Sequence, residues 1–202
     1  MPNTYVVSDW HLNHRNILTY CPNRLELFED VEGMTAGIVE RTLEVVGPKD
    51  TLYFLGDLTF KIGSKRDEVF ELLRPLRAAV GEMHWIVGNH DEPDRMPRVV
   101  ELFDSVRDAV QFRVGPMHVF LSHYPVEVPY RDLLLLVSIH GHHHGTLHNP
   151  PGRIDVGIDN LYGIRDRFDS AYTCEPILLE AAMELAAANI PAPFASEGQP
   201  TN

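Results

Sequence analysis

Short β-branched runs alternate with amphipathic stretches along most of the chain. Residues 4–8 (TYVVS), 51–55 (TLYFL) and 84–87 (HWIV) each read as a buried strand, closed by Asp9, Gly56 and Gly88 respectively. Between the first two, Ile38, Val39, Leu43 and Val46 recur at spacings of roughly three and four, which predicts a helix over residues 35–46 that Gly47 and Pro48 end. Residues 66–76 predict a second helix. Residues 110–114 and 118–121 predict two strands joined at Gly115 and Pro116, and the apolar run 133–139 predicts a strand at its C-terminal end. Residues 154–157 predict another short strand. Pro176, suited to a first helical turn, opens a predicted helix through residue 189. Residues 190–202 are rich in Pro, Ala and polar residues and predict a loose tail. There is no internal repeat, so the expected organisation is one domain over residues 1–189 followed by that tail. Strands alternating with helices belong to the α/β class.

Composition adds exclusions. Hydrophobic residues make up 44% of the 202 and charged residues 23%, an ordinary globular balance with material for a sizeable core. No window approaches the ~18 to 20 apolar residues of a membrane span. The N-terminus, MPNTYVVSDWH, shows no basic and apolar leader, and the two cysteines, Cys21 and Cys174, lie far apart. Both features predict a reducing, cytoplasmic location. The formal net charge is −12. Such a protein is a poor non-specific partner for nucleic acid or an anionic membrane. If its substrate is anionic, positive charge must be supplied locally, and bound metal ions are the obvious source.

The candidate chemistry sits where the predicted strands end. Asp9-Trp10-His11 follows the first, Gly56-Asp57 the second and Gly88-Asn89-His90-Asp91 the third; Ser122-His123 and His140-Gly141-His142-His143-His144 follow later ones. In α/β folds, ligand sites gather beyond the carboxyl ends of strands. Each block alone has a plain explanation: a turn, a helix cap, a packed histidine, or in HGHHHG an adventitious metal-binding tract. Their repetition at five strand ends is what packing does not explain. The donors are carboxylate, imidazole and amide, a set that suits Mn²⁺, Fe²⁺, Zn²⁺ or Co²⁺. Seven such donors are too many for one tetrahedral ion and suit two ions sharing a bridge.

The order D-x-H, GD, GNHD, H, GHxH resembles the calcineurin-like metallophosphoesterase superfamily, over residues 4 to about 157. The resemblance implies a two-sheet β-sandwich flanked by helices, with a dinuclear centre at one end. It implies that Asp9, His11 and His144 hold the first ion, that Asp57 bridges, and that Asn89, His123 and His142 hold the second. His90 would serve as a proton donor to the leaving oxygen, and Asp91 would orient His90. The longer stretch SDWHLNHRNILTYC is similar to small phosphoesterases of phages and bacteria, mycobacteriophages in particular; the excess of 14 Arg over 3 Lys fits a high-GC genome. In that branch His14 and Asn16 would lie near the metals as substrate contacts, although Asn13, Ile17 and Leu18 equally suit a helix start. The GD block continues as LTFKIG and not D-R-G, so the additional arginines of the protein phosphatases are not evident.

The function these readings imply is a phosphodiesterase acting through a metal-bridging hydroxide on 2′,3′-cyclic nucleotides and model diesters. Mn²⁺ is the first choice of cofactor, with Fe, Zn or Co as alternatives. The expected partner is a small phosphodiester, with no membrane and no extended nucleic-acid footprint. A phosphomonoesterase or nuclease on the same scaffold is the alternative; a non-enzymatic interaction module and a histidine-rich metal buffer are remoter. Lys61, Arg15 and Arg24 are candidate phosphate contacts, set against ordinary surface ion pairing. Trp10 would either wall the site or fill the core.

Overall fold

The computed structural model describes residues 2–60, 66–127, 136–147, 151–160 and 174–188. Two sheets face one another. The first has strand order β4-β3-β2-β1-β9, built from β1 (Thr4–Val7), β2 (Thr51–Phe54), β3 (Glu82–Ile86), β4 (Ser105–Arg107) and β9 (Ile177–Leu178). The second has order β5-β6-β7-β8, from β5 (Ala109–Val114), β6 (Met117–Ser122), β7 (Leu136–His140) and β8 (Arg153–Asp155). β1 to β4 pair in parallel, as do β6 to β8. Among the described strands, only β9 and β5 run antiparallel to their neighbours. Parallel pairing puts the carboxyl ends of several strands on the same edge of each sheet, which is where the candidate blocks begin.

Alternation along the strands divides the core. Val7, Leu52, Phe54, Met83 and Trp85 face α2 (Val31–Val45) and α3 (Arg66–Ala79), packing with Met34, Ile38, Val69 and Leu73. Val6, Leu55 and Ile86 join Val119, Leu121, Val137, Ile139 and Ile154 in a second cluster between the sheets. The last helix, α5 (Leu179–Ala188), adds Leu179, Ala182 and Ala186 to it. Ser8 ties the sheets together: its N–H donates to the Val156 carbonyl at 3.2 Å, and its hydroxyl donates to the Leu55 carbonyl at 2.9 Å. This is the two-sheet sandwich with flanking helices that the motif order implied.

Differences from the predicted elements have local causes. α2 begins four residues earlier than its apolar periodicity suggested, because the Asp30 side chain caps it by accepting the Gly33 N–H. α3 continues through Pro75 to Ala79, where Arg77 donates to the Val80 and Gly81 carbonyls beyond its end. Residues 177–178 are not helical: they add a strand to the edge of β1, with Ile177 buried between the sheets. Short helices α1 (Ile17–Tyr20) and α4 (Pro97–Val100), and strand β4, carry too few residues for a period to show. Trp10 fills the core, 1% exposed and tilted against Phe54 at 4.9 Å. Residues 133–135, Lys61, His148 and the tail 190–202 lie outside the described residues. No helix among the described residues is long and apolar enough to cross a membrane.

Candidate metal centre

Five strand ends bring the candidate donors to one place. Asp9 and His11 follow β1, Asp57 follows β2, Asn89 and His90 follow β3, His123 follows β6, and His142 and His144 follow β7. Among the described residues seven non-glycine positions have positive φ, and five of them are Asp9, His11, Asp57, His142 and His144. Left-handed backbone costs a non-glycine residue of order 1 kcal/mol. Its concentration on the donor residues shows a loop geometry chosen for where it aims side chains. Gly88 and Gly141 allow the close approach: a Cβ on Gly88 would strike the Asp57 backbone N, and one on Gly141 would strike Ser8 and lie 2.5 Å from Asp9 Oδ2.

The donors converge as two trios, Asp9–His11–His144 and Asp57–His123–His142, with the ligand atoms in each within 4.8 Å of one another. Asp57 faces both. Its Oδ2 lies 3.4 Å from His11 Nε2 and its Oδ1 lies 3.5 Å from His123 Nε2. Asn89 Oδ1 comes within 3.0 Å of the same His123 nitrogen, and His142 Nδ1 within 3.2 Å. His90 sits at the edge, its ring nitrogen 3.9 Å from Asp57 and its backbone N–H donating to Asp57 Oδ1 at 3.0 Å.

The protonation pattern fits a cation. His123 Nδ1 donates to the Leu55 carbonyl at 2.9 Å, which leaves Nε2 with its lone pair toward Asn89 and Asp57. Burial lowers the pKa of His123 and pushes that of His11 far down, which favours the neutral imidazole that a metal ion requires. Burial, with His123 and His143 nearby, brings His142 down to about 4. Neither ring nitrogen of His11 has a hydrogen-bond partner, although both are buried. Burial pushes the Asp9 carboxyl well up, and neighbouring Asp155 and Asp57 push the same way. Lone pairs facing lone pairs, and a carboxylate that lacks enough positive charge, are what a divalent cation would satisfy. His144 goes the other way. Burial opposes its charged form, but bonds to Asp159 and Cys21 and the charge of Asp9 outweigh it and raise it to about 11. Its Nδ1 bonds Asp159 Oδ2 at 2.7 Å, and its Nε2 lies 4.0 Å from Asp9.

A cleft of about 550 Å³ opens over these groups, lined by the donors His11, His142 and His144 with His90, and also by His14, Asn16, Tyr20 and Phe60. The expected substrate contacts His14 and Asn16 therefore do border it. His14 stacks on Phe60, centroids 4.1 Å apart and planes 12° off parallel. His143 also lines the cleft, whereas His140 is fully buried with its Nδ1 on the Gly141 carbonyl.

Two expectations need correction. The Asp91 carboxylate has no hydrogen bond to His90. Its Oδ2 accepts the N–H groups of Asp57, Gly88 and the Trp85 indole at 2.8–3.0 Å, and its Oδ1 accepts that of Leu58 at 2.9 Å. It therefore anchors the backbone of Asp57. Burial raises its pKa to about 7 against the pull of those donors. Arg24 is not a phosphate contact: it is 2% exposed and paired with Asp159. Arg15 is exposed and lies 3.9 Å from Glu32. Asp159 went unrecognised in the sequence, although it follows the strand of residues 153–155 as the other candidate acids follow theirs. Tyr20 and Cys21 close the stretch SDWHLNHRNILTYC and prove to line the cleft, whereas Phe60 carries no motif and is found only as cleft lining.

Comparison with known proteins identifies the family. The profile of the calcineurin-like phosphoesterase family matches residues 2–181. The Gene 66 protein of Mycobacterium phage L5 is 30% identical over 188 residues, covering 79% of this chain and 87% of its own. The uncharacterized protein MJ1445 of Methanocaldococcus jannaschii is 42% identical over 101 residues, half of this chain and 53% of that protein, so the match spans only about half of that relative. Among solved structures, the Aquifex aeolicus protein AQ665, described as of unknown function, superposes with a TM-score of 0.64 at 24% identity, covering 92% of this chain and all of its own; it shares the fold.

Proposed function

The chain belongs to the calcineurin-like phosphoesterases, a family of metal-dependent phosphoester hydrolases, and on that premise we propose that it hydrolyses small phosphodiesters, 2′,3′-cyclic nucleotides among them. The observation that carries this reading is the pair of donor trios beneath an open cleft, with Asp57 of one trio also facing His11 of the other. Asp9, His11 and His144 would hold one ion; Asn89, His123 and His142 would hold the other; Asp57 would serve both. When bound, two such cations supply a nucleophile at neutral pH and neutralise charge on the phosphoryl oxygens.

The protein's own groups do the rest. His90 stands at the cleft edge with its imidazole about one-third exposed, held by its backbone bond to Asp57 and by edge contact with Phe60 at 4.7 Å. From there it donates a proton to the departing oxygen, a role worth ~10² to 10⁴ in rate. Asn16 has no side-chain cap bond at its helix start and lines the cleft, free to bond a substrate hydroxyl or phosphoryl oxygen.

The cleft lining suits a nucleotide diester. Tyr20, 71% exposed, and the stacked pair His14 and Phe60 offer flat surfaces to a base. The net charge of −12 disfavours a long nucleic-acid track.

The test is to strip the protein of metal and assay bis-p-nitrophenyl phosphate beside p-nitrophenyl phosphate, each with and without Mn²⁺, then 2′,3′-cyclic nucleotides. Metal-dependent turnover that favours the diesters is the expected result. Monoester preference would replace the reading by a phosphatase, and silence on every ester with both ions bound would make the chain a non-catalytic module.

A further inference from the structure

Arg24 and Asp159 form a buried ion pair that no motif announces and that the proposed reaction does not use directly. Arg24 spends all three of its nitrogens. Its Nε donates to Asp159 Oδ1 at 2.8 Å, and one terminal nitrogen donates both to Asp159 Oδ2 at 2.6 Å and to the Asp9 carbonyl at 2.7 Å. The other terminal nitrogen donates to the Trp10 carbonyl at 3.0 Å. Asp159 is equally occupied: Oδ1 also accepts from Asn23 at 3.2 Å, and Oδ2 takes the His144 ring Nδ1 at 2.7 Å. One guanidinium and one carboxylate thus connect the left-handed backbone of Asp9 to the ring of His144, itself left-handed at φ 48°.

Buried ion pairs add little net stability, because desolvation of the two charges offsets their attraction. Geometry is the better account of this one. A carboxylate on Nδ1 fixes the His144 tautomer so that Nε2 is the ligating atom, and it makes the imidazole a stronger donor. The second trio is built differently. The corresponding bond from His123 Nδ1 goes to a neutral acceptor, the Leu55 carbonyl. Of these two histidine rings, only that of His144 is held by a carboxylate.

We infer that Arg24 and Asp159 are positioning residues that jointly set Asp9 and His144, and so select the affinity of the first metal position without altering the second. This rests on the reading of Asp9, His11 and His144 as ligands. The pair links a 3₁₀ turn, Pro22–Glu26, to the segment after β8, 135 residues away. The first position therefore depends on two segments that meet only in the folded chain.

The experiment is a titration of metal-free protein with Mn²⁺, following free ion by electron paramagnetic resonance, on wild type, Asp159→Asn and the double variant Arg24→Met/Asp159→Asn. The double variant removes both charges together, so that no unpaired charge is left in the core if Asp159→Asn alone folds badly. Wild type should bind two ions. The variants should lose about 10- to 100-fold in affinity for one ion, the usual effect of removing an outer partner of a ligand. The other ion should stay within twofold, and added Mn²⁺ in the same proportion should restore turnover. Two ions bound with wild-type affinity by a folded variant would overturn the inference, as would equal weakening of both. A wild-type protein that binds fewer than two ions would overturn the ligand reading itself, and the inference with it.

Discussion

Asp91 distinguishes two accounts of the site. If it orients His90, its removal should cost turnover and little stability. If it anchors the backbone, as its bonds indicate, its removal should cost stability first. Asp91 is 8% exposed and satisfies four donors: the N–H groups of Asp57, Leu58, Gly88 and the Trp85 indole. A buried donor left without an acceptor costs ~1 to 3 kcal/mol. Asp91→Ala strands all four, so even the low end of that range gives about 4 kcal/mol, a large share of the ~5 to 15 kcal/mol that holds a domain folded. Asp91→Asn can place its single oxygen where Oδ2 was, keeping three donors, but then sets its amide N–H against that of Leu58. That exchange should cost about 1 to 3 kcal/mol. Urea unfolding in EDTA, with linear extrapolation, measures both without the contribution of bound metal. The expected order is wild type, Asn, Ala, with comparable m-values. If Asp91→Asn unfolds within ~0.5 kcal/mol of wild type while its kcat collapses in saturating Mn²⁺, the anchoring argument is wrong and the His90 role returns.

Further expectations follow from the same geometry. His90→Ala should retain both ions and lose ~10² to 10⁴ in kcat on a diester with a poor leaving group, with much less loss on a nitrophenyl diester, whose leaving group needs little protonation; equal losses on the two would remove the acid role. Gly141→Ala drives a methyl group into Ser8 and to 2.5 Å from Asp9 Oδ2, so it should cost ~1 to 3 kcal/mol and one bound ion, read by denaturation and metal analysis. Chelation should lower Tm by about 5 to 10 °C for each ion held at a hundred times its Kd, and Mn²⁺ should restore it; an unchanged Tm would mean that folded and unfolded chains bind the ions equally. Tyr20→Ala should leave Tm unchanged, since the ring is 71% exposed, and raise KM for cyclic nucleotides more than for a minimal diester lacking a base; equal KM changes would remove Tyr20 from base recognition.

Much of this molecule is written along the chain. The α/β class, the strands ending at Asp9, Gly56 and Gly88, and the blocks DWH, GD, GNHD and HGHHH were legible because each is local. A period of two or of three to four residues, and a donor directly after a strand, need no knowledge of the remainder of the fold. Residues 177–178 show the limit of that reasoning. Pro176 and the apolar run after it suit a helix, but the free edge of β1 and an unfilled place between the sheets make the first two residues a strand.

The roles of individual charges were decided by tertiary structure alone. Asp91 adjoins His90 in sequence, yet its oxygens turn to N–H groups at positions 57, 58, 85 and 88. Arg24 looks like a surface cation until Asp159, 135 residues on, proves to be its partner. Neighbour identity in the chain says which donors are present. Which donor meets which acceptor depends on strands that pair in parallel, bringing distant carboxyl ends to one edge and excluding water from the space between them. The sequence by itself determined the kind of chemistry; the packed fold determined which of its charges reach the cleft and which hold the others in place.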